Sequence, residues 1–280
     1  MAISMIYDII RWEEKSIIKA FKDRSIDINL INVNDLDLDL NAENGSGTLL
    51  QRTASYYKNL HSTAYYESKG YNVINSFIST VITGNKMFTS LWIKRNGVVI
   101  PDTFVTFDKN AFLRSFSNDL DGRGVLKPVI GSWGRMNALL NDYYAAMDIV
   151  EYKDYMYPIY QINYLQRYIN DFNRDLRVFV IGSDVVAGIY RYRPENDWRT
   201  NTALGGRAEP LKITPEIEEQ CLKAVETIGN GIYGIDFLES KDGLFLNEIN
   251  GNTEFKNTVP VTGVDIPGLM ADYLIKEDRR

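Results

Sequence analysis

The chain has 280 residues, a formal net charge of −6, one cysteine (Cys221) and one histidine (His61). That length supports two or three lobes with real cores, and the acidic balance weighs against a dedicated nucleic-acid binder. One Cys and one His exclude an intrachain disulfide and leave no basis for a zinc site or a Ser-His-Asp triad.

Hydrophobic residues at 45% and charged residues at 24% are ordinary for a globular protein. No apolar run reaches the length of a membrane span. The stretch Met1–Tyr7 is short and followed by acidic residues, unlike a signal peptide. A cytoplasmic protein with a reduced thiol is therefore expected.

In chain order, Ile3–Ile6 reads as a buried strand, and Trp12–Lys22 as a helix with Ile17, Ile18 and Phe21 on one face. Ile28–Val33 reads as a strand and the Asp/Asn-rich stretch Asn34–Gly47 as a loop. Leu60–Lys69 reads as a helix and Asn72–Ile74 as a strand before Asn75. This alternation predicts an α/β class with a parallel N-terminal lobe over 1–82. A central lobe over 83–162 would hold the helix Lys86–Asn96, a strand Val98–Thr106 broken by Pro101, and the strand Val125–Val129. A C-terminal lobe over 163–280 would hold strands Tyr164–Ile169, Arg177–Ile181 and Val185–Tyr190, the last two joined at Gly182-Ser183-Asp184. Thr214 as N-cap and Pro215 at the first position open a helix whose stripe Ile217, Cys221, Val225 and Ile228 makes Cys221 a core residue. Strands Ile232–Phe237 and Leu244–Ile249 flank the turn Lys241-Asp242-Gly243.

Three groups of residues carry chemistry. Asp236 and Glu248 close neighbouring strands, and Asn250 shares the face of Glu248 by strand alternation; such hard oxygen donors suit Mg²⁺, with an acidic solvent-facing hairpin as the alternative. Lys127 precedes the loop Gly131-Ser132-Trp133-Gly134-Arg135, in which glycines let backbone N–H groups approach phosphate oxygens. Lys86, Arg174, Arg177 and Arg191 form a cationic set. Arg177 and Arg191 lie within apolar strands and so need anionic partners: Asp175, Glu248 or a nucleotide phosphate.

The succession of Lys86, Leu126-Lys127-Pro128-Val129-Ile130-Gly131-Ser132-Trp133-Gly134-Arg135, Gln166-Arg167-Tyr168-Ile169, Arg174-Asp175-Leu176-Arg177, Asp236 and Asn247-Glu248-Ile249-Asn250 resembles the ATP-grasp order. Thr200-Asn201-Thr202-Ala203, Gly205-Gly206, Glu254-Phe255-Lys256-Asn257-Thr258 and Thr262–Gly268 make it similar to the LysX-type branch, related to the ribosomal-protein glutamate ligases. The resemblance covers nearly the whole chain, densely from Lys127 to Gly268 and thinly before Asn75.

This resemblance implies an ATP-grasp fold and an ATP- and Mg²⁺-dependent carbon–nitrogen ligase. Lys86 and Lys127 would contact phosphates, and Gly131, Ser132, Gly134 and Arg135 would lie in the loop over them. Gln166, Arg167, Tyr168 and Ile169 would hold adenine, and Arg174 would join the nucleotide-binding set. Asp236, Glu248 and Asn250 would hold Mg²⁺, while Arg191 and Asn201, with Lys127, would act on the γ-phosphate and the acyl phosphate. Arg52, Ser55 and Asn75, with Asn257 and Thr258, would lie near the substrates. Arg167 stands where the family usually has Glu, and Asn170 or Asp171 where an acidic ribose partner is common.

The implied partners are an acidic amino-group carrier protein and α-aminoadipate. The alternatives are glutamate on the same carrier, a peptide or ribosomal-protein acceptor, and a non-catalytic scaffold. Neither nucleic acid nor membrane is implied; a homo-oligomer is. An acidic carrier needs a basic patch, for which Arg191, Arg193, Arg199 and Arg207 are the densest candidates.

Overall fold

The computed structural model describes residues 3–131, 133–200 and 207–280. The first sheet is parallel, in the order β2-β1-β3-β4: β1 Ile3–Tyr7, β2 Asn29–Asn32, β3 Thr48–Gln51 and β4 Asn72–Ile74. Helix α1 (Trp12–Asp23) links β1 to β2, and α2 (Tyr56–Ser68) links β3 to β4. At the start of α1, the Glu14 carboxylate accepts the Arg11 N–H at 2.8 Å. Glu13 and Glu14 together complement the positive end of the helix dipole.

Sequence patterning misses β3. All four of its residues are buried, so it shows neither alternation nor helical period, although it occupies an inner position of the sheet. Helix α2 starts at Tyr56, four residues before the expected Leu60.

After α3 (Phe77–Thr83) and α4 (Lys86–Arg95), an antiparallel sheet runs in the order β5-β8-β6-β7. Its strands are β5 Thr103–Thr106, β6 Gly124–Lys127, β7 Ala138–Leu140 and β8 Asn163–Arg167. Helices α5 (Lys109–Arg114) and α6 (Tyr143–Lys153) supply Phe112, Leu113, Ala146 and Val150 to its core. The expected strand Val98–Thr106 contracts to β5. Pro101 has no N–H for a ladder, and Val98 instead packs beside Ile93 of α4.

The third sheet is antiparallel, in the order β11-β10-β9-β12-β13, with β9 Arg174–Gly182, β10 Asp184–Tyr192, β11 Ala208–Pro210, β12 Gly231–Ser240 and β13 Gly243–Asn250. Alternation along β9 divides its two faces. Leu176, Val178 and Val180 pack on Ile217, Cys221, Val225 and Ile228 of α7 (Pro215–Ile228). Phe179 and Ile181 pack on Ile17 and Phe21 of α1 and on Met270 and Leu274 of α9 (Ile266–Asp278), which follows the short α8 (Thr258–Thr262). One core therefore joins the first sheet to the third. Cys221 is fully buried, and burial pushes its thiol up to about 12, which suits packing and not nucleophilic attack. Exposed His61 donates one local bond from Nδ1 to Tyr57 O at 2.7 Å.

Among the described residues no helix is long and apolar enough to cross a membrane. Over the described residues the chain is thus a mixed α/β protein of three sheets, with a parallel α/β lobe at its N-terminus as expected.

Candidate active site

A cleft of about 840 Å³ runs between the three sheets. Its charged floor follows from strand register. Asp236 of β12 lies opposite Arg177 of β9, and Arg191 of β10 lies opposite Asp175 of β9. All four share the face of β9 that carries Phe179 and Ile181, at the end where the apolar layer gives way to the cleft. Arg177 grips Asp236 through two bonds of 2.7 Å, and Arg191 grips Asp175 likewise. Arg191 also lies 3.0 Å from Asp236, and the Thr200 hydroxyl donates to Asp175. The partners required by Arg177 and Arg191 are thus Asp236 and Asp175, not Glu248. Burial pushes the Asp236 carboxyl upward, but Arg177 and Arg191 outweigh it and hold it below its ordinary value. Burial likewise opposes the charge on Arg191, and Asp175 and Asp236 more than restore it.

Glu248 lies directly opposite Asp236 on β13, and the Asn250 amide approaches Asp236 Oδ2 at 3.5 Å. The structure therefore brings Asp236, Glu248 and Asn250 together. It also places a bulge between the Asp236–Glu248 and Phe237–Leu246 pairs, leaving Asn247 as the extra residue. Leu246 and Ile249 consequently both reach the core although they are three apart in sequence. Asn247 turns toward Lys127, whose Nζ donates to Asn247 Oδ1 at 2.7 Å and to Gln166 Oε1 at 2.5 Å. Sequence reasoning missed Asn247 as a site residue, although the three-residue spacing from Leu246 to Ile249 is the signature of a bulge.

Lys127 is buried with neutral amides as its bonded partners, and burial pushes it down to about 8 against Glu248 and Asp236. Lys86 starts α4 and reaches across to Glu248 at 3.1 Å and to Gly131 O at 2.8 Å. It thereby ties the glycine loop to the acidic strands. Gly134 has φ +65°, where a side chain would be strained, and its carbonyl accepts from Arg199 at 3.0 Å. Arg135 stacks on Trp133. Ser132 and Asn201 lie outside the described residues.

Further along the cleft, the Gln166 side chain serves Lys127, while Tyr168 and Ile169 follow the end of β8. Tyr168 meets Arg123 on its ring face and Trp198 edge-on. Arg167 pairs with Asp102 at 2.8 Å, and Arg174 pairs with Glu239 at 2.7 Å over the Tyr190 ring. Of the two residues considered for ribose, Asn170 lines the cleft, whereas Asp171 accepts the Lys241 N–H.

At the N-terminal end, Asn75 lines the cleft but spends its amide on the backbone of Ile232 and Gly251. Arg52 lies beneath the surface, pairing with Glu14 at 2.9 Å and donating to Thr253 O. Ser55 stands at the N-cap position of α2 without a side-chain capping bond and gives its N–H to Asp8. Asn257 and Thr258 both line the cleft. The expected basic patch loses Arg191, which is buried against two aspartates. Of the rest, Arg199 pairs with Asp197, Arg207 with Glu209, and Arg193 bonds Asn173 and Tyr168.

Residues 3–82 match the LysX preATP-grasp domain and residues 84–274 the RimK-like ATP-grasp domain. The chain is 39% identical to the alpha-aminoadipate–LysW ligase LysX of Saccharolobus solfataricus, across 91% of this chain and 94% of that protein. It is 32% identical to the glutamate–LysW ligase ArgX of Sulfolobus acidocaldarius, across 98% of each. Its fold is similar to the crystal structure of a RimK domain ATP-grasp protein from Sphaerobacter thermophilus, with a TM-score of 0.82 at 21% identity over 98% of this chain and 99% of that one. With both lobes matched and these identities spanning nearly its full length, the chain belongs to the LysX-type carboxylate–amine ligases of the RimK-like ATP-grasp family.

Proposed function

We propose that the chain joins the side-chain carboxylate of the terminal glutamate of the carrier LysW to the α-amino group of α-aminoadipate, in lysine biosynthesis and at the expense of ATP. One observation carries this reading: Lys86, Lys127, Arg191, Asp236, Glu248 and Asn250 converge on one cleft that holds neither Cys nor His. Chemistry there rests on positioning and charge, as phosphoryl transfer requires. The carrier carboxylate takes the γ-phosphate to give an acyl phosphate. The amine then attacks the acyl carbon, and phosphate leaves. Lys127 and Arg191 face the charge on the transferring phosphoryl group, and Lys86 links the glycine loop to Glu248.

Two carboxylates and one amide oxygen on paired strands are a hard donor set that fits Mg²⁺, with phosphate oxygens and water completing its shell. When bound, Mg²⁺ would neutralise phosphate charge, with Asp236, Glu248 and Asn250 holding it.

α-Aminoadipate is favoured over glutamate by the polar pair Asn257 and Thr258 in the cleft wall, beside which the distal carboxylate would lie. One methylene is worth about 1–3 kcal/mol, so some glutamate use is expected. With ATP and carrier saturating, the wild type should show the higher kcat/KM for α-aminoadipate. A variant with Gly-Phe in place of Asn257-Thr258 should move toward glutamate. A wild type preferring glutamate overturns the substrate assignment, and an unmoved ratio in the variant removes this pair from recognition.

A further inference from the structure

Glu13, Arg52, Thr53 and the run from Asn252 to Lys256 meet at the end of the cleft bounded by α1. Most charge here is already balanced: Arg11 pairs with Glu14 and Glu254, and Arg52 pairs with Glu14. Two groups are left over. Glu13 is only 4% exposed and has no cation within ion-pair distance among the described residues; its one bonded donor is the Lys256 N–H, at 3.1 Å. Lys256 is exposed at the cleft wall, and its Nζ has no carboxylate partner among the described residues. Beside them the buried Asn252 Oδ1 and Thr253 Oγ1 have no hydrogen-bond partner among the described residues.

A buried carboxylate with a single hydrogen bond is costly unless something else supplies charge and donors. An α-amino acid supplies both halves of what is missing, an ammonium and a carboxylate on one carbon. We propose that Glu13 and Lys256 form the head-group site of the acceptor amino acid. Glu13 receives its ammonium, Lys256 receives its α-carboxylate, and Asn252 and Thr253 complete the hydrogen bonding. This rests on the ligase reading above and extends it. Asn257 and Thr258 follow Lys256 directly, so the same loop addresses the head group and the distal carboxylate. Lysine, a point charge on a flexible stem, holds the shared head group whichever side-chain length follows.

The test uses the full-length enzyme, carrier and saturating ATP, with Glu13→Gln and Lys256→Met. Glu13→Gln keeps an oxygen to accept the Lys256 N–H, and Lys256 is exposed, so both variants should melt like the wild type. Each should raise the KM for α-aminoadipate roughly 10- to 100-fold and leave the KM for ATP unchanged. Hexanedioate, which lacks the ammonium, separates the roles as a competitive inhibitor. Lys256→Met should weaken its binding, Glu13→Gln should not, and Lys256→Arg should recover most of the loss. An unchanged amino-acid KM in either variant overturns the proposal, as does a Glu13→Gln variant that loses hexanedioate as strongly as α-aminoadipate. A wild type that releases no ADP with any dicarboxylic amino acid overturns the ligase reading and this site with it. An active wild type with two unaffected variants overturns the site alone.

Discussion

Glu248→Ala should lower turnover by about three orders of magnitude or more, because it removes one of the oxygen donors assigned to the metal. Its thermal midpoint should hardly move, since the Glu248 side chain is 26% exposed and, among the described residues, forms one ion pair, with Lys86. Asp236→Ala should separate from it sharply. That carboxylate is buried and bonds both Arg177 and Arg191, so its loss strands the half-buried Arg177 and leaves the buried Arg191 with Asp175 alone. Breaking such a network costs about 3–5 kcal/mol, or roughly 10 °C in Tm for a chain of this size. Thermal scans beside ADP-release assays check the pair. A Glu248→Ala variant with near-native turnover at saturating Mg²⁺ contradicts the metal assignment. An Asp236→Ala variant as stable as the wild type contradicts the network.

Lys127→Met should weaken ATP binding about 10- to 100-fold, since it removes the buried cation proposed to contact phosphate. The same lysine sets a pH dependence. In the folded protein without nucleotide it sits at about 8, below its ordinary 10.5, because burial disfavours the charge. Between about 8 and 10.5 the unfolded chain binds more protons than the folded one, so stability in the absence of nucleotide should rise with pH across that window. Phosphate favours the charged form, so ATP affinity should fall as pH rises through about 8, with proton uptake on binding. Calorimetry at pH 8.5 in buffers of different ionisation enthalpy measures that uptake. It should vanish in Lys127→Met, and an unchanged uptake there would place the titrating group elsewhere.

Much of this architecture is legible in the sequence because local and global preferences agree. Thr214 and Pro215 start α7 where expected, and its apolar stripe buries Cys221. The turn at Gly182–Asp184 joins β9 and β10 as an antiparallel pair. What escapes sequence reading depends on register and on distant partners. The inner strand β3 is buried throughout and has no period to detect. The bulge at Asn247 breaks strict alternation and turns an unremarkable asparagine toward Lys127. Arg177 and Arg191 announce that they need anions, but only the pairing of β9 with β12 names Asp236 as the one they share. Glu13 looks like an ordinary helix-start acid until the loop beyond β13 folds over it.

The most direct measurement is the mass of the carrier. Purified LysW incubated with this enzyme, ATP, Mg²⁺ and α-aminoadipate should gain the mass of one aminoadipate residue, with one ADP released per carrier modified. Neither product should form without LysW, and no heavier carrier should form without the amino acid. A carrier of unchanged mass, alongside tight ATP binding and no ADP release with any amino acid, would contradict the ligase account and leave a nucleotide-binding scaffold.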